Sequence, residues 1–478
     1  MKPVVAIARL TFWEGIRMRI VLVFLVALVF ILLLLPTALR GDGTLAGRLQ
    51  TFLSYSLGAV TALLGMATVF LSCSTLSNEI RYFQIHMVIA KPVSRFQILL
   101  GKWLGVLSLN VVILALCGVA IYSFARIVKN QSVGFERDRV NINSAIWTSR
   151  IRVEPVRPVE EWTQAALAHV QSMVASGEIP TMSGERKITK ADLADPALAQ
   201  AFEQRFTKEE LAWRLIGNNE FRDFRFENLP EMTDPNEIIQ VRFRARGLPL
   251  PLEELLKIEW QVIDPETGQA MGNPILTDKR SAQRHQFLLR GAPVIRDGKM
   301  VLRVSNPFSP SDDVKIMFEQ KNALELLYTV GSFEANFVRA LLTVLLQLVF
   351  LSAVGLFFST FVSFPIACLC TFTAYIIGLA MPFWLESIGA TIDPVMLDAE
   401  HDPYWIFGPF VRSVLVPMLY LFPDFTKFNG GAMLVDGELI GTRLLAEASI
   451  RTFVSGALLL LGVGWLVFRQ REIAAVTV

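Results

Sequence analysis

Charge falls along this chain in blocks, and long uncharged runs separate them. Residues 20–39 carry no charge and would cover about 30 Å as a helix, the thickness of a bilayer core. Residues 51–77 and 103–125 are also uncharged, with Asn110 the most polar member of the second run. Residues 340–385 hold no charge over a length too great for one span, and Ser363-Phe364-Pro365 marks a turn that divides them. Residues 452–468 form a last, short run. The pattern predicts six transmembrane helices. A further apolar stretch, 404–422, carries Arg412 at its centre with Pro409, Pro417 and Pro423. An arginine at mid-span is costly, so two re-entrant half-helices packed in protein are expected there.

Between the third and fourth runs the pattern changes. Residues 160–176 set Trp162, Ala166, Val170 and Met173 on one helical face, and Gly177 ends it. Thr207-Lys208-Glu209-Glu210 reads as a capping box opening another helix. Farther on the period becomes two. Ile239, Val241, Phe243 and Ala245 alternate with polar residues, as do Leu256, Ile258, Trp260 and Val262, and then Val314, Ile316 and Phe318. Asp264-Pro265 and Asp297-Gly298 are turn signals, so an antiparallel sandwich is expected.

The fold class that follows is an all-α integral membrane protein with six transmembrane helices. A large extracytoplasmic α+β domain is inserted between the third and fourth. The expected division is an interfacial elbow helix at 1–19, then helices one to three at 20–126 with a cytoplasmic coupling helix at 78–98. The external domain takes 127–333, helical over 155–235 and β-sandwich-like over 236–320. Helices four and five take 334–388. An external loop follows at 389–448, re-entrant at 404–422, then helix six at 449–469 and a cytoplasmic tail at 470–478.

Composition agrees with a membrane protein. The 478 residues are 53% hydrophobic and 18% charged, with mean hydropathy +0.46. A net charge of +2 gives no footprint for nucleic acid. Lysine and arginine set orientation. Lys2, Arg9, Arg17 and Arg19 flank the first run, Arg81, Lys91, Arg95 and Lys102 fill the second loop, and Arg469 and Arg471 follow the last run. With six spans these segments share the cytoplasmic side. The expected location is the cell inner (plasma) membrane, multi-pass, with both termini cytoplasmic. The first run is longer than a cleaved signal core and is expected to be a retained anchor. Cys73, Cys117, Cys368 and Cys370 all sit in apolar runs and read as small buried hydrophobes. Glu400-His401-Asp402 reads as a loop turn rather than a metal site.

The stretch 78–102 holds Glu79, Arg81, Lys91, Pro92, Arg95 and Lys102, and it keeps Ile80, Tyr82, Phe83, Ile85, Met87, Val88 and Ile89. A connection needs only a few residues, and apolar groups on a long basic loop seek a groove on a partner. These six polar and proline positions are therefore the expected docking residues. Residues 4–19 are amphipathic and suit a helix lying in the interface. Glu14 within that basic flank calls for a partner, and Glu14 and Arg17 are expected to brace the elbow. Gly101-x-x-x-Gly105 would permit close helix approach, although the pattern is common in apolar runs.

The order of features resembles the permease subunits of ATP-binding-cassette (ABC) exporters of the second type. The matching text is Thr11-Phe12-Trp13-Glu14-Gly15-Ile16-Arg17, then Ala90-Lys91-Pro92-Val93-Ser94-Arg95 with Ile98-Leu99-Leu100-Gly101-Lys102. Leu356-Phe357-Phe358-Ser359-Thr360-Phe361 also matches, as do Pro423, Asp424, Phe425 and Asn429 in Phe422-Pro423-Asp424-Phe425 and Phe428-Asn429. The resemblance covers the membrane portion, and the insertion departs from it. It implies a homodimer with a separate ABC ATPase subunit that binds ATP and Mg, with no cofactor in this chain. It leaves the substrate open and allows an envelope protein to engage the external domain. No G-x-x-x-x-G-K-[ST] loop is present, so ATP hydrolysis is expected in the partner and this chain is expected to be non-catalytic. The alternative from another class is a membrane-anchored receptor or scaffold whose external domain binds an envelope partner. An intramembrane enzyme has no supporting constellation.

Overall fold

The structure is a computed structural model. It describes residues 2–38, 45–84, 92–131, 146–179, 189, 193, 195–231, 238–249, 254–290, 295–307, 314–318, 323–384, 387, 413 and 422–470. In chain order the helices are α1 (Lys2–Arg17), α2 (Arg19–Ala38), α3 (Leu45–Arg81), α4 (Arg95–Gln131), α5 (Val159–Ala175), α6 (Pro196–Arg214), α7 (Phe333–Ser359), α8 (Phe364–Leu379), α9 (Gly430–Val435), α10 (Thr442–Ile450) and α11 (Leu459–Gln470). A π-helical stretch, Arg451–Leu458, joins the last two. The described residues fall into two units, one holding those up to Ser149 and from Gly331 onward, the other those from Arg150 to Val330.

The first unit is helical. Four helices are long and apolar enough to cross a membrane: Leu45–Arg81, Arg95–Asn130, Phe333–Ser359 and Thr442–Gln470. The bent pair Pro3–Arg17 and Arg19–Leu35 makes a fifth if counted as one span, and Phe364–Leu379 is a shorter apolar helix. Many apolar side chains remain on the outside, among them Val23, Phe30, Leu33, Leu116 and Val119, as expected where lipid replaces water. The interior is built on α3 and α7. Leu53, Val60, Leu64 and Leu71 of the first pack with Phe337, Val344 and Leu348 of the second. Contact is closest at Gly355, where an added Cβ would lie 2.0 Å from the Ser72 hydroxyl oxygen. That approach needs a glycine.

Packing follows the polar residues inside the runs. Asn110 of α4 accepts a hydrogen bond from the Thr68 hydroxyl of α3 at 3.0 Å. The 340–385 run divides at Ser363 as expected, with Pro365 in the first turn of α8, where its missing N–H costs nothing. Helix α7 begins ahead of the uncharged run because Asn336 is buried and held at both ends. Its amide donates to the Glu438 carbonyl at 2.7 Å and its oxygen accepts from Ile440 N at 2.9 Å.

The second unit is a sandwich of antiparallel strands with two helices. Its strands are β1 (Thr148–Val153), β2 (Leu215–Ile216), β3 (Phe221–Phe226), β4 (Ile238–Arg244), β5 (Arg246–Leu248), β6 (Leu255–Ile263), β7 (Ala270–Arg280), β8 (Arg284–Arg290), β9 (Met300–Ser305), β10 (Lys315–Met317) and β11 (Leu324–Ser332). Two four-stranded sheets, β1-β11-β4-β8 and β3-β9-β6-β7, accompany a three-stranded sheet β2-β10-β5. The alternation read from the sequence sets the faces: Ile239, Val241 and Phe243 are buried with Leu256, Ile258, Trp260 and Val262. Trp260 of β6 bridges the large sheets, its ring 4.7 Å from Phe243 and 5.1 Å from Phe287.

Three expectations are corrected. The range 155–235 is not wholly helical, because β2 and β3 lie within it; Phe224 and Phe226 face the sandwich core. Thr207 opens no helix. It lies inside α6, which starts earlier at Asp195, whose carboxylate caps Ala197 N at 3.0 Å ahead of Pro196. The bounds of the coupling helix expected at 78–98 are corrected at both ends. Residues 78–81 end α3 and residues 95–98 begin α4, while 85–91 lie outside the described residues. The expected re-entrant stretch 404–422 also lies outside them, apart from Ser413 and Phe422.

Candidate functional site

The charged positions singled out in the sequence gather where α1, α3 and α4 meet. Lys102, about two turns into the buried face of α4, places its ammonium 2.7 Å from Glu79 Oε1 and 3.1 Å from the Thr75 carbonyl. Both side chains are enclosed, 4% and 11% exposed, so each charge depends on the other. Glu79 Oε2 and the Trp103 indole N–H are buried without a hydrogen-bond partner. Glu14 of α1 stays exposed at the surface but feels the same charges. Partial loss of solvent pushes its carboxyl above the usual range, Lys102 opposes the shift and Glu79 adds to it.

Glycines bring α1 this close. An added Cβ on Gly101 would meet Ile7 Cβ at 2.8 Å, and one on Gly105 would meet the Ala8 carbonyl oxygen at 2.7 Å. The Gly101-x-x-x-Gly105 pattern is therefore the seat of α1. Helix α1 then breaks at Met18 and turns by 64° into α2.

The other expected docking residues are dispersed. Arg95 donates to the Phe468 carbonyl and, at 3.1 Å, to that of Arg469, so it closes the carboxyl end of α11. Arg81 is exposed in the last turn of α3, 5.8 Å from the Tyr82 ring, and Pro92 is exposed. Arg17 is exposed at the end of α1. Lys91 lies outside the described residues. Of the expected docking set, Glu79 and Lys102 thus turn inward, and Arg81 and Pro92 face out.

The loop motif forms a second site against α8. Asp424 accepts from Thr426 N at 3.0 Å and Lys427 N at 2.9 Å, closing a turn. Phe425 and buried Pro423 press on Gly378, where a Cβ would meet the Phe425 ring at 2.6 Å. Asn429 caps α9 through Ala432 N at 3.1 Å. Beside this loop lies a cavity of about 290 Å³ lined by α3, α7, α8 and residues 425–432. The sequence hinted at it only through the small residues Ser54, Gly58, Thr61 and Ala62 on α3. Among the described residues no group of three or more His, Cys, Asp or Glu could hold a metal ion. No protein-family description, curated protein or solved structure matches this chain.

Proposed function

We propose that this chain is the membrane permease subunit of an ATP-driven exporter of the second ABC type. It would couple ATP binding and hydrolysis in separate ATPase subunits to export, or to a conformational change outside the membrane. The observation that carries the reading is the buried Glu79–Lys102 pair with Glu14 beside it. The pair ties α3 to α4, the two helices flanking the basic loop, and the Gly101 and Gly105 seat holds the elbow helix against α4, as a device passing motion from that loop to the spans would require.

Helix directions support six spans, α2, α3, α4, α7, α8 and α10–α11. Met18 meets Ser74 and Phe24 meets Phe70, so α2 and α3 are antiparallel. Phe52 meets Phe124, and Gly118 meets Leu341, so α4 runs against both α3 and α7. Gly456 meets Phe350 and Gly464 meets Phe357, so the last helix runs with α7. Arg17, Arg81, Arg95, Lys102 and Arg469 then share one end, the cytoplasmic one by the positive-inside rule. The docking surface is Arg81, Lys91 and Pro92. The partners are an ABC ATPase holding ATP and Mg, a second copy of this chain, the lipid bilayer of the inner membrane, and an envelope protein at the external sandwich. The test is affinity purification in mild detergent. An ATPase with a phosphate-binding loop is expected to co-purify, and Arg81→Glu with Lys91→Glu is expected to reduce its recovery at least tenfold. Recovery of no ATPase would reject the reading.

The second reading, a membrane-anchored receptor or scaffold, is favoured by the external unit's own large core around Trp260. Under it the same purification returns an envelope protein and no ATPase.

A further inference from the structure

We propose that the cavity between α3, α7, α8 and residues 425–432 binds an uncharged, hydroxyl-bearing amphiphile, with a glycosyl head group as its chemical type. The proposal rests on reading these helices as membrane-spanning. The cavity measures about 290 Å³, at the lower end for small-molecule sites and enough for one head group rather than a polymer. Among the described residues no Asp, Glu, Lys, Arg or His lines it. A charged ligand would meet no counter-ion on that lining, and desolvation penalises an unpaired charge. The lining is nevertheless polar. The Gln347 amide and the Tyr375 hydroxyl both line it. Asn429 uses its Oδ1 to cap α9 and keeps its amide N–H groups for another acceptor. The hydroxyls of Thr61 and Thr343 donate to Leu57 and Ala340 carbonyls, which leaves their lone pairs to accept from a ligand hydroxyl. Phe425 and Phe428 supply apolar wall on the remaining side. Neutral donors and acceptors beside aromatic faces suit a sugar ring, which offers hydroxyls at its rim and C–H groups on its face.

Gly58 makes the site testable without damaging the fold. It lines the cavity, and a Cβ there meets nothing within 4 Å, so a larger side chain enters open space. The full chain, in nanodiscs of neutral phospholipid, is labelled with a diazirine-bearing dodecyl maltoside. Matched phosphocholine and sulfate amphiphiles run in parallel, and labelled peptides are mapped by mass spectrometry. Maltoside labelling is expected at the peptides containing Gly58 and residues 425–432. It should exceed either charged probe at least tenfold and be competed by dodecyl maltoside but not by maltose alone. Gly58→Phe is expected to lower it at least tenfold with an unchanged melting temperature, and Gln347→Leu about fivefold. Equal labelling by all three head groups, or full labelling of a folded Gly58→Phe protein, overturns the proposal. Competition by maltose alone would overturn the amphiphile in favour of a free sugar. If Gly58→Phe does not fold, unchanged labelling of Gln347→Leu decides against it. Recovery of an ATPase without labelling would reject the ligand and leave the transport reading standing.

Discussion

A lysine at the edge of an apolar run has two homes: it can extend toward head groups, or it can pair inside the protein. Lys102 takes the second, with Glu79 at 2.7 Å. Removing one partner strands the other charge, so Lys102→Met should cost about 3–5 kcal/mol of stability. Adding Glu79→Leu should restore most of it. Thermal melts of the detergent-solubilised single and double variants measure this, and equal melting of single variant and wild type would refute a dependent pair. Glu14 titrates in the opposite sense to a salt-bridged acid. Its folded pKa is raised above the ordinary 4.5. Its contribution is therefore fully present below that value and is lost as pH rises through the folded pKa. Glu14→Gln should melt higher than wild type at pH 8 and match it at pH 4. A gap that persists at pH 4 would count against burial as the cause. The sequence marked Glu14, Glu79 and Lys102 as important by charge alone. It could not show that two of them turn inward, because Glu79 and Lys102 lie on different helices and hydropathy does not report which face a lysine takes.

At the scale of elements, legibility tracked how strictly burial sets the pattern. Strand β6 was readable because it packs one face on the sandwich and leaves period two in the sequence. Strand β4 keeps the same alternation of apolar and polar residues, although Gln240 and Arg242 of its polar face are buried as well. The start of α6 was misplaced because Thr207-x-x-Glu210 imitates a cap, whereas the working cap is Asp195 with Pro196. The seat of α1 was visible only as an ambiguous glycine spacing, since small-residue pairs occur throughout apolar runs. Its role is now testable. A side chain at Gly105 must displace Thr11 Cβ, 2.6 Å from the added Cβ, and the Ala8 backbone. Gly105→Leu should cost about 1–3 kcal/mol by overpacking. It should also raise hydrogen exchange across residues 4–17 while α3 keeps its protection. Unchanged exchange in α1 would show that the glycines do not hold it. Gly101→Leu should act in the same way through Ile7.

At the scale of the whole molecule, the long segment between α4 and α7 must leave the helical unit and return without pulling those two helices apart. Its first and last strands, β1 and β11, are neighbours in one sheet. Where the chain comes back to the helices, Trp147 stacks on Phe333 with ring centres 4.4 Å apart, and its indole N–H donates to Glu334 at 3.2 Å. Lys129 at the end of α4 lies 4.3 Å from the same indole. The two ends are thus fastened by residues of the helical unit itself. Replacing residues 150–330 with a short Gly/Ser linker should therefore leave a helical unit that purifies as a discrete species and melts cooperatively. Under the transport reading the shortened protein also retains its ATPase, because Arg81, Lys91 and Pro92 are untouched. A soluble aggregate, or a unit that folds only with the sandwich present, would show that the bundle depends on contacts beyond the Trp147 clamp. Adding Trp147→Ala to the deletion should then separate the ends and lower the melting temperature further than the same change does in the full chain.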